Sequence, residues 1–340
     1  FLTYDVEVDG DEREFNFEYR SLIGDSVSIG LTKLPDQPKG SFENFAFSSD
    51  KRQVLHFSQR LIGIANTNDF DFEFLDITFP EGESITDVLF SKDQSQLVIH
   101  TFGEKSQQGS SEPSFTDWVK LNHYVYTYDL GSQELTKVYT FTKDFQAIRI
   151  QGYDSEKGLI YWFETGNGGF NFSFSRYNID TEELVITSIA DWGDPEVADD
   201  LSVMYTVDEP TTSILSKVNL ETLEEEVLFE SSGGRSLGAI LRGDTLFLTQ
   251  SILNKPGEIV KSLSTIDQET GEETVLLDEW SFGAGASSDS LVVSPDGTQF
   301  IIRDKNRNYQ LFNYNNGSVE FVEEVLDSEI YVRDWFYRTK

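Results

Sequence analysis

The sequence contains no cysteine. This absence excludes disulfide bonds, thiol nucleophiles, iron–sulfur clusters and cysteine-bound zinc. Histidine is nearly as scarce, with His56, His100 and His123 as the complete set. There is also no run of 18 apolar residues, so the sequence predicts no membrane-spanning helix.

Basic residues are few, with 26 Lys and Arg against 60 Asp and Glu, which gives a net charge of -34. Such a surface repels phosphate backbones and anionic membranes, so we expect neither nucleic-acid binding nor membrane insertion. It suits salty surroundings, cationic partners or Ca²⁺. No signal peptide is visible, and the first residue is Phe1, which favours a mature or trimmed chain. We expect an extracytoplasmic protein: periplasmic, secreted or on the cell surface.

Motifs for common enzyme chemistry are missing too. No Gly-x-Ser-x-Gly nucleophile motif occurs. The sequence Gly233-Gly234-Arg235 lacks the Lys-Ser/Thr of a phosphate loop. A carboxylate pair for glycoside hydrolysis remains open among 60 acids, but none is singled out. The sequence therefore assigns no catalytic residue.

A repeated unit organises what is present: an apolar strand, a turn that contains Asp, and a second apolar strand. Phe and Tyr, 27 and 14 in number, also favour strands over helices. Asp and Asn form tight turns because their side chains bond to nearby backbone groups. The turns of this first series contain Asp50, Asp93, Asp154, Asp199, Asp200, Asp244 and Asp296.

A second series of turns alternates with the first, and each of its members leads into another apolar strand, as in Val275-Leu276-Leu277. The two series together give four strands in each repeat of roughly 40–60 residues, a pattern typical of β-propeller blades. The second series begins at Asp129, Asp180, Asn219, Asp267 and Asn313.

The turn Ser294-Pro295-Asp296-Gly297 resembles the signature of WD40-like repeats in bacterial periplasmic propellers. Those include the propeller of the Tol system and the propeller domains of prolyl-oligopeptidase-type peptidases. The segments 48–50 and 91–93 resemble copies that lack Pro and Gly. The resemblance implies the architecture and no specific function, because one fold serves many functions.

We therefore predict an all-β chain that folds as one β-propeller domain over 1–340, with seven four-stranded blades. The last blade is closed by both termini, because 330–336 resembles an innermost strand and 2–8, 14–19 and 27–31 resemble the other three. Closure removes exposed sheet edges. Six blades plus an N-terminal ribbon is the alternative. The predicted blades are approximately 42–79, 85–141, 148–189, 191–229, 237–280, 286–326 and 330–340 with 1–34.

Insertions are concentrated on one predicted face. In a four-stranded blade, the first-to-second and third-to-fourth turns share one face, which we call the short-turn face. The second-to-third loops and the links between blades share the other, which we call the long-loop face. The predicted insertions on the long-loop face are 103–122, 164–171, 252–257 and the blade links 189–194 and 279–286.

Aromatic residues lie beside Asp and Asn in these insertions, a combination that suits sugar rings or peptide side chains. The alternative is that the aromatics only cover the ends of the core. The candidate ligand-binding residues are Phe115, Asp117, Trp118, Asn167, Phe170, Trp192, Asp194 and Trp280.

Asp5, Glu7, Asp9 and Asp11, with a Gly at the sixth place, resemble the first half of a Ca²⁺ loop. The twelfth place is Asn16, so the bidentate Glu is missing, and an Asp-Gly hairpin is the alternative. No other cofactor is indicated. His56 and His100 fall in corresponding parts of neighbouring blades without a third ligand, which favours structural roles.

These observations favour a non-catalytic propeller that recognises a protein, peptide or glycan through its long-loop face. One alternative is a carboxylate-based hydrolase or lyase acting at the central channel. Another is a purely architectural domain of a surface assembly.

Overall fold

The computed structural model describes sixteen segments of the chain, which contain 28 strands in seven four-stranded sheets and no helix. No helix within them has the length and hydropathy to cross a bilayer. The described residues are 2–9, 12–20, 26–28, 44–68, 71–103, 122–141, 147–165, 172–189, 195–208, 214–231, 236–255, 258–283, 291–303, 309–315, 318–326 and 331–334.

Six sheets follow one another along the chain, each with its strands in sequence order and antiparallel. The first sheet contains β4 (Asn44–Phe47), β5 (Gln53–Phe57), β6 (Ile62–Asn66) and β7 (Glu73–Phe74). The second contains β8 (Glu83–Phe90), β9 (Gln96–Gly103), β10 (Asn122–Asp129) and β11 (Leu135–Thr140). The third contains β12 (Ala147–Asp154), β13 (Leu159–Thr165), β14 (Phe172–Asn178) and β15 (Glu183–Ile189).

The next three sheets repeat this pattern. The fourth contains β16 (Glu196–Val197), β17 (Val203–Asp208), β18 (Ile214–Asn219) and β19 (Glu225–Glu230). The fifth contains β20 (Ser236–Arg242), β21 (Thr245–Lys255), β22 (Glu258–Ile266) and β23 (Glu273–Gly283). The sixth contains β24 (Leu291–Val293), β25 (Gln299–Arg303), β26 (Tyr309–Asn315) and β27 (Ser318–Leu326).

The terminal sheet joins the two ends of the chain. Its strands are β1 (Leu2–Asp9), β2 (Glu12–Arg20), β3 (Ser26–Ser28) and β28 (Tyr331–Asp334), in the order β28-β1-β2-β3. β28 pairs antiparallel with β1, from Leu2↔Asp334 to Tyr4↔Tyr331. This is the strand set that closure by both termini requires.

The core lies between consecutive sheets rather than inside any one of them. The second strands show why, because they are apolar on both faces and neighbouring residues point in opposite directions. On β13, Trp162 packs towards the second sheet and Tyr161 towards the fourth. On β21, Leu246 packs towards the fourth sheet and Phe247 towards the sixth. The third and fifth sheets are thus buried on both sides.

The first strands of consecutive sheets lie against one another, with β4 next to β8, β8 next to β12, β16 next to β20 and β24 next to β28. The first strands therefore face a common axis, and the fourth strands face outward. Radial four-stranded sheets around a shared axis define a β-propeller. The predicted all-β propeller class is confirmed.

Turns of the first series close in one recurring geometry. In each of three copies, a Ser hydroxyl donates to the Asp two residues later, at 2.6–2.7 Å, and accepts the backbone N–H of the residue five positions on, at 2.9–3.0 Å. The residue three positions after Ser has a left-handed φ, which Gly297 adopts without steric cost. Lys51 and Gln94 adopt the same conformation in the degenerate copies.

The second series uses Asp or Asn to accept two backbone N–H groups, as Asp267 does from Glu269 and Thr270. Two of its predicted starts were wrong. In the third sheet, Asn178 plays this part instead of Asp180, and accepts the N–H groups of Asp180 and Thr181. In the sixth, Asn313 lies within β26, and strand pairing continues to Asn315↔Ser318.

Two predicted insertions are strand extensions instead of loops. β21 continues to Lys255 and β22 starts at Glu258, so most of 252–257 belongs to a hairpin. β23 continues to Gly283, so 280–283 pairs with β22. Both errors have one cause, which is that pairing between neighbouring strands continues past the usual blade length.

Candidate functional site

Most of the predicted ligand-binding residues lie outside the described residues: Phe115, Asp117, Trp118, Asn167, Phe170, Trp192 and Asp194. Trp280 is the exception, because the structure describes its backbone. It lies on β23 opposite Lys261, and not in a blade link as predicted. The ligand-binding assignment of these eight residues stays a prediction.

The segment that resembles part of a Ca²⁺ loop has the backbone of the alternative, a β-hairpin. Asp5, Glu7 and Asp9 lie on β1, which pairs with β2 without interruption from Leu2↔Tyr19 to Asp9↔Glu12. Asp11 lies outside the described residues. Across the part of the chain that the structure describes, no group of three or more His, Cys, Asp and Glu residues is placed to hold a metal ion.

A pair of buried imidazoles lies at the long-loop end of the second sheet. The Nε2 atom of His100 on β9 is 3.1 Å from Nδ1 of His123 on β10. Thr86, at a register shift in β8, places its hydroxyl 2.7 Å from Nδ1 of His100 and donates it to the His100 carbonyl at 3.1 Å. The hydroxyl oxygen therefore accepts the proton on His100 Nδ1, and His100 Nε2 accepts the proton on His123 Nδ1.

Both rings are neutral at pH 7. Burial and the neighbouring His123 lower the pKa of His100 to about 3. Burial lowers the pKa of His123 to about 4. The hydrogen-bonded pair can orient groups near the connection 104–121, because His123 directly follows the residue at which β10 begins. His56 has a different environment and stacks on Phe45, with ring centroids 4.6 Å apart.

A hydrogen-bonded carboxylate lies at the same end of the second sheet. Glu83, the first residue of β8, accepts the Thr101 hydroxyl at 2.7 Å and the Tyr126 hydroxyl at 3.0 and 3.1 Å. Burial and Glu83 raise the pKa of Tyr126. The cluster therefore ties three strands together next to the connection 104–121.

The third sheet has a second buried carboxylate at its long-loop end. Glu164 accepts the indole N–H of Trp162 at 2.5 Å and the Ser175 hydroxyl at 2.9 Å, so the buried charge has two good donors. Trp162 packs edge-on against Phe141, which in turn contacts both His100 and His123. An unbroken chain of side chains thus joins the long-loop ends of the two sheets.

Asp87 is a half-buried carboxyl group on the inner strand β8. Its Oδ2 atom accepts the backbone N–H of Ile150 on β12 at 3.0 Å, which links the second and third sheets. Burial raises the pKa of Asp87 to about 6, against the opposing effects of the Ile150 N–H and the Arg149 charge. A carboxyl group with this pKa can exchange a proton near neutral pH.

Charges of both signs meet where the inner strands reach the short-turn face. Arg242 Nη1 lies 2.7 Å from Glu196 Oε1, and Lys92 Nζ lies 4.0 Å from Asp154 Oδ2. Burial raises the pKa of Glu196, against the charges of Arg242 and of Lys51 from the first sheet. At this end of the axis, ion pairs therefore join the fourth sheet to the fifth and the second sheet to the third.

The sequence analysis missed the imidazole pair, although the signal was present. Gly103 and Asn122 were the predicted bounds of the longest loop, and the structure pairs these two residues directly. Counting back along both strands from that pair places His100 opposite Val125 and His123 opposite Phe102. Glu83 and Asp87 carried no signal, because their partners lie on other strands. Glu164 has one partner on its own strand, Trp162, and another on β14, Ser175.

No protein-family model and no curated protein sequence matches the chain. The chain resembles solved structures in its fold. An oligogalacturonate lyase from Vibrio parahaemolyticus has 13% identity, covers 89% of this chain and 94% of its own, and gives a TM-score of 0.57. Dipeptidyl peptidase 4 from Porphyromonas gingivalis has 12% identity, covers 96% of this chain and gives a TM-score of 0.61. The chain is a β-propeller.

This chain matches 51% of that peptidase, and so spans about half its length. A TolB from Acinetobacter baumannii has 11% identity, covers 98% of this chain and 82% of its own, and gives a TM-score of 0.47. The predicted resemblance to bacterial propellers is confirmed as a propeller architecture by the lyase and the peptidase. At these identities the propeller likeness shows the fold alone.

Proposed function

We propose that this propeller is a binding module that recognises a protein, peptide or glycan through its long-loop face. The observation that carries the proposal is the difference between connections on the two faces. Turns on the short-turn face are closed by their own Ser, Asp and Asn side chains. On the opposite face, β9 and β10 are joined by 104–121, and β13 and β14 by 166–171.

The buried clusters support this assignment because they anchor the strands that carry these connections. Glu83 and its donors fix the strand ends around 104–121, and Glu164 fixes those around 166–171. Loops on a rigid scaffold are where recognition usually resides. The eight predicted residues, Trp118, Trp192 and Trp280 among them, are the proposed contacts.

The proposed setting is extracytoplasmic, and the proposed partner is uncharged or basic. The net charge of -34 supports both, because it repels polyanions and draws cationic groups at long range. No cofactor is part of this proposal.

The test uses the intact chain against a glycan array and a displayed peptide library. For the strongest ligand found, we expect Trp118→Ala, Trp192→Ala and Trp280→Ala each to weaken binding about tenfold or more, as for buried aromatic contacts. Arg52→Ala, at an exposed position on the short-turn face, is the control and should leave Kd unchanged. Unchanged binding in all three Trp variants, or an equal loss in Arg52→Ala, would reject the face assignment.

A second candidate is a hydrolase or lyase that works at the central channel, and Asp87 favours it. The carboxyl lies on an inner strand with a pKa of about 6. We expect any turnover of glycoside or peptide substrates to change with pH around 6 and to be lost in Asp87→Asn. Turnover that is unaffected by Asp87→Asn would remove Asp87 from the reaction.

A further inference from the structure

The outer strands are the sheet edges that the propeller leaves open. In the sheet order, β7, β11, β15, β19, β23, β27 and β3 each have a single paired neighbour among the described strands. Among the residues whose exposure the structure describes, every exposed large apolar side chain lies on one of these strands: Phe74, Ile186, Val227, Val275, Phe321 and Val322. An open edge with exposed apolar residues is a template for a further strand.

Nearly every outer strand carries a feature that opposes such pairing. β3 and β7 are only 3 and 2 residues long. β11, β19, β23 and β27 each pair through a register shift, which twists the edge and interrupts its row of hydrogen-bonding groups.

The outer strand β15 has neither feature. It has 7 residues and pairs with β14 in unbroken register, from Phe172↔Ile189 to Asn178↔Glu183. The residues 184–189 read Leu-Val-Ile-Thr-Ser-Ile, without a charge, and four of them are β-branched. Ile186 is 46% exposed at its centre. These are the properties of a strand that can accept a partner.

The neighbouring outer strand β19 shows the contrast. Glu225, Glu226 and Glu230 place charges along it, and the register shift falls beside Leu228. A Cβ built on Gly271 of the fifth sheet would overlap with the Leu228 carbonyl oxygen, so an adjacent turn already covers this edge. Val227 is nevertheless 58% exposed, which makes it a matched position for comparison with Ile186.

We propose that the outer edge of β15 is a docking site for an extended cationic polypeptide segment, which adds to the third sheet as a fifth strand. The backbone of β15 supplies the hydrogen bonds, and Leu184 and Ile186 supply apolar contacts on alternate positions. Exposed acids at the start of the strand, Asp180, Glu182 and Glu183, select basic residues in the partner.

Charge decides between a foreign segment and a second copy of this chain. A second copy brings another net charge of -34 to the edge and opposes self-pairing. A segment with Lys or Arg near its ends is attracted instead. This surface is separate from the long-loop face, so the proposal stands independently of the proposed function.

The experiment measures binding of a fluorescent eight-residue peptide, in which valine and threonine alternate between terminal lysines, to the intact chain. Ile186→Lys adds a charge to the open edge at an exposed position, and Val227→Lys adds the same charge to β19. We expect Ile186→Lys to weaken binding at least tenfold and Val227→Lys to change it less than twofold. A peptide with methylated backbone amides should not bind, because it lacks the donors of a fifth strand.

Three outcomes would overturn the proposal. One is equal weakening by Ile186→Lys and Val227→Lys, which would indicate attraction to the whole surface. Another is equal binding of the methylated peptide, which would exclude strand addition. The third is a dimer of the unmodified chain in sedimentation that Ile186→Lys dissociates, which would assign the edge to a second copy.

Discussion

The short-turn face and the long-loop end of the same sheets are held together differently. On the short-turn face, side-chain hydrogen bonds run from one sheet to the next. Ser155 donates to Asp93, Tyr153 donates to Gln96, and Tyr205 donates to Gln268, at 2.5–2.7 Å. Each of these bonds joins consecutive sheets, so this face forms a polar, laterally bonded base.

At the long-loop end, the clusters around Glu83, His100 and Glu164 stay within one sheet. Contact between the second and third sheets there is aromatic, through Phe141 and Trp162. The difference teaches that hydrogen bonds hold neighbouring sheets together on the short-turn face, whereas side-chain packing holds them together at the long-loop end. A surface used for recognition can then vary its loops without disturbing the bonds that join the sheets.

The largest expected effect is a loss of stability at the long-loop end, where aromatic packing joins the second and third sheets. Trp162 is fully buried, so Trp162→Ala should lower the free energy of unfolding by about 3–5 kcal/mol, and it also removes a donor from Glu164. Guanidinium titration measures this. Trp162→Phe, which keeps much of the ring volume, should cost clearly less. A loss below about 1 kcal/mol for Trp162→Ala would contradict the importance of packing there.

The imidazole pair should make the long-loop end sensitive to acid. The folded-state pKa values of His100 and His123 lie below the unfolded value of 6.5, so the unfolded chain takes up protons first. The stability they provide is present above pH 6.5 and is lost as the pH falls towards 4. Between pH 7 and 5 this amounts to about 2 kcal/mol per histidine.

Denaturant titrations at a series of pH values test this dependence. The double variant His100→Leu/His123→Leu should lose that part of the pH dependence, whatever its stability at pH 7. Superimposable pH dependences for the parent chain and the double variant would refute the burial of neutral rings.

The smallest expected effect is the difference in stability between two glycine-to-alanine variants, one on each face. Gly271, with φ 71°, lies against the Leu228 carbonyl of the neighbouring sheet, whereas Gly82, with φ 87°, has open space around it. Alanine at either position costs about 1–2 kcal/mol for a left-handed backbone. Gly271→Ala must also displace a backbone, so it should cost at least about 1 kcal/mol more. Equal melting temperatures for the two variants would show that the turns are not closely packed.

The fold could be predicted because its main signals are local. A Ser-x-Asp turn closes through hydrogen bonds within five residues, as at Ser294, so its sequence pattern is direct evidence of its geometry. The sequence pattern placed this turn at Asp180, whereas the left-handed residue, Glu182, lies four positions after Asn178, the residue that closes the turn. A sequence does not state that position.

The candidate site was less predictable because its contacts depend on register and on neighbouring sheets. The Asp87–Ile150 bond joins two sheets and has no pattern along the chain. Trp280 was predicted to lie in a blade link, yet its strand continues to pair with β22 as far as Gly283. Local turn chemistry fixes where strands turn back, while the length of pairing depends on both partners.

The pairing of β28 with β1 has a consequence for how the molecule is made. During synthesis, the hairpin of β1 and β2 emerges before the six other sheets, and its partner β28 emerges after them. The ring can close only when the ribosome has delivered Tyr331–Asp334, because these residues complete the terminal sheet. Until then the early hairpin has an open edge, and this long wait makes it the part of the nascent chain most dependent on protection from wrong partners.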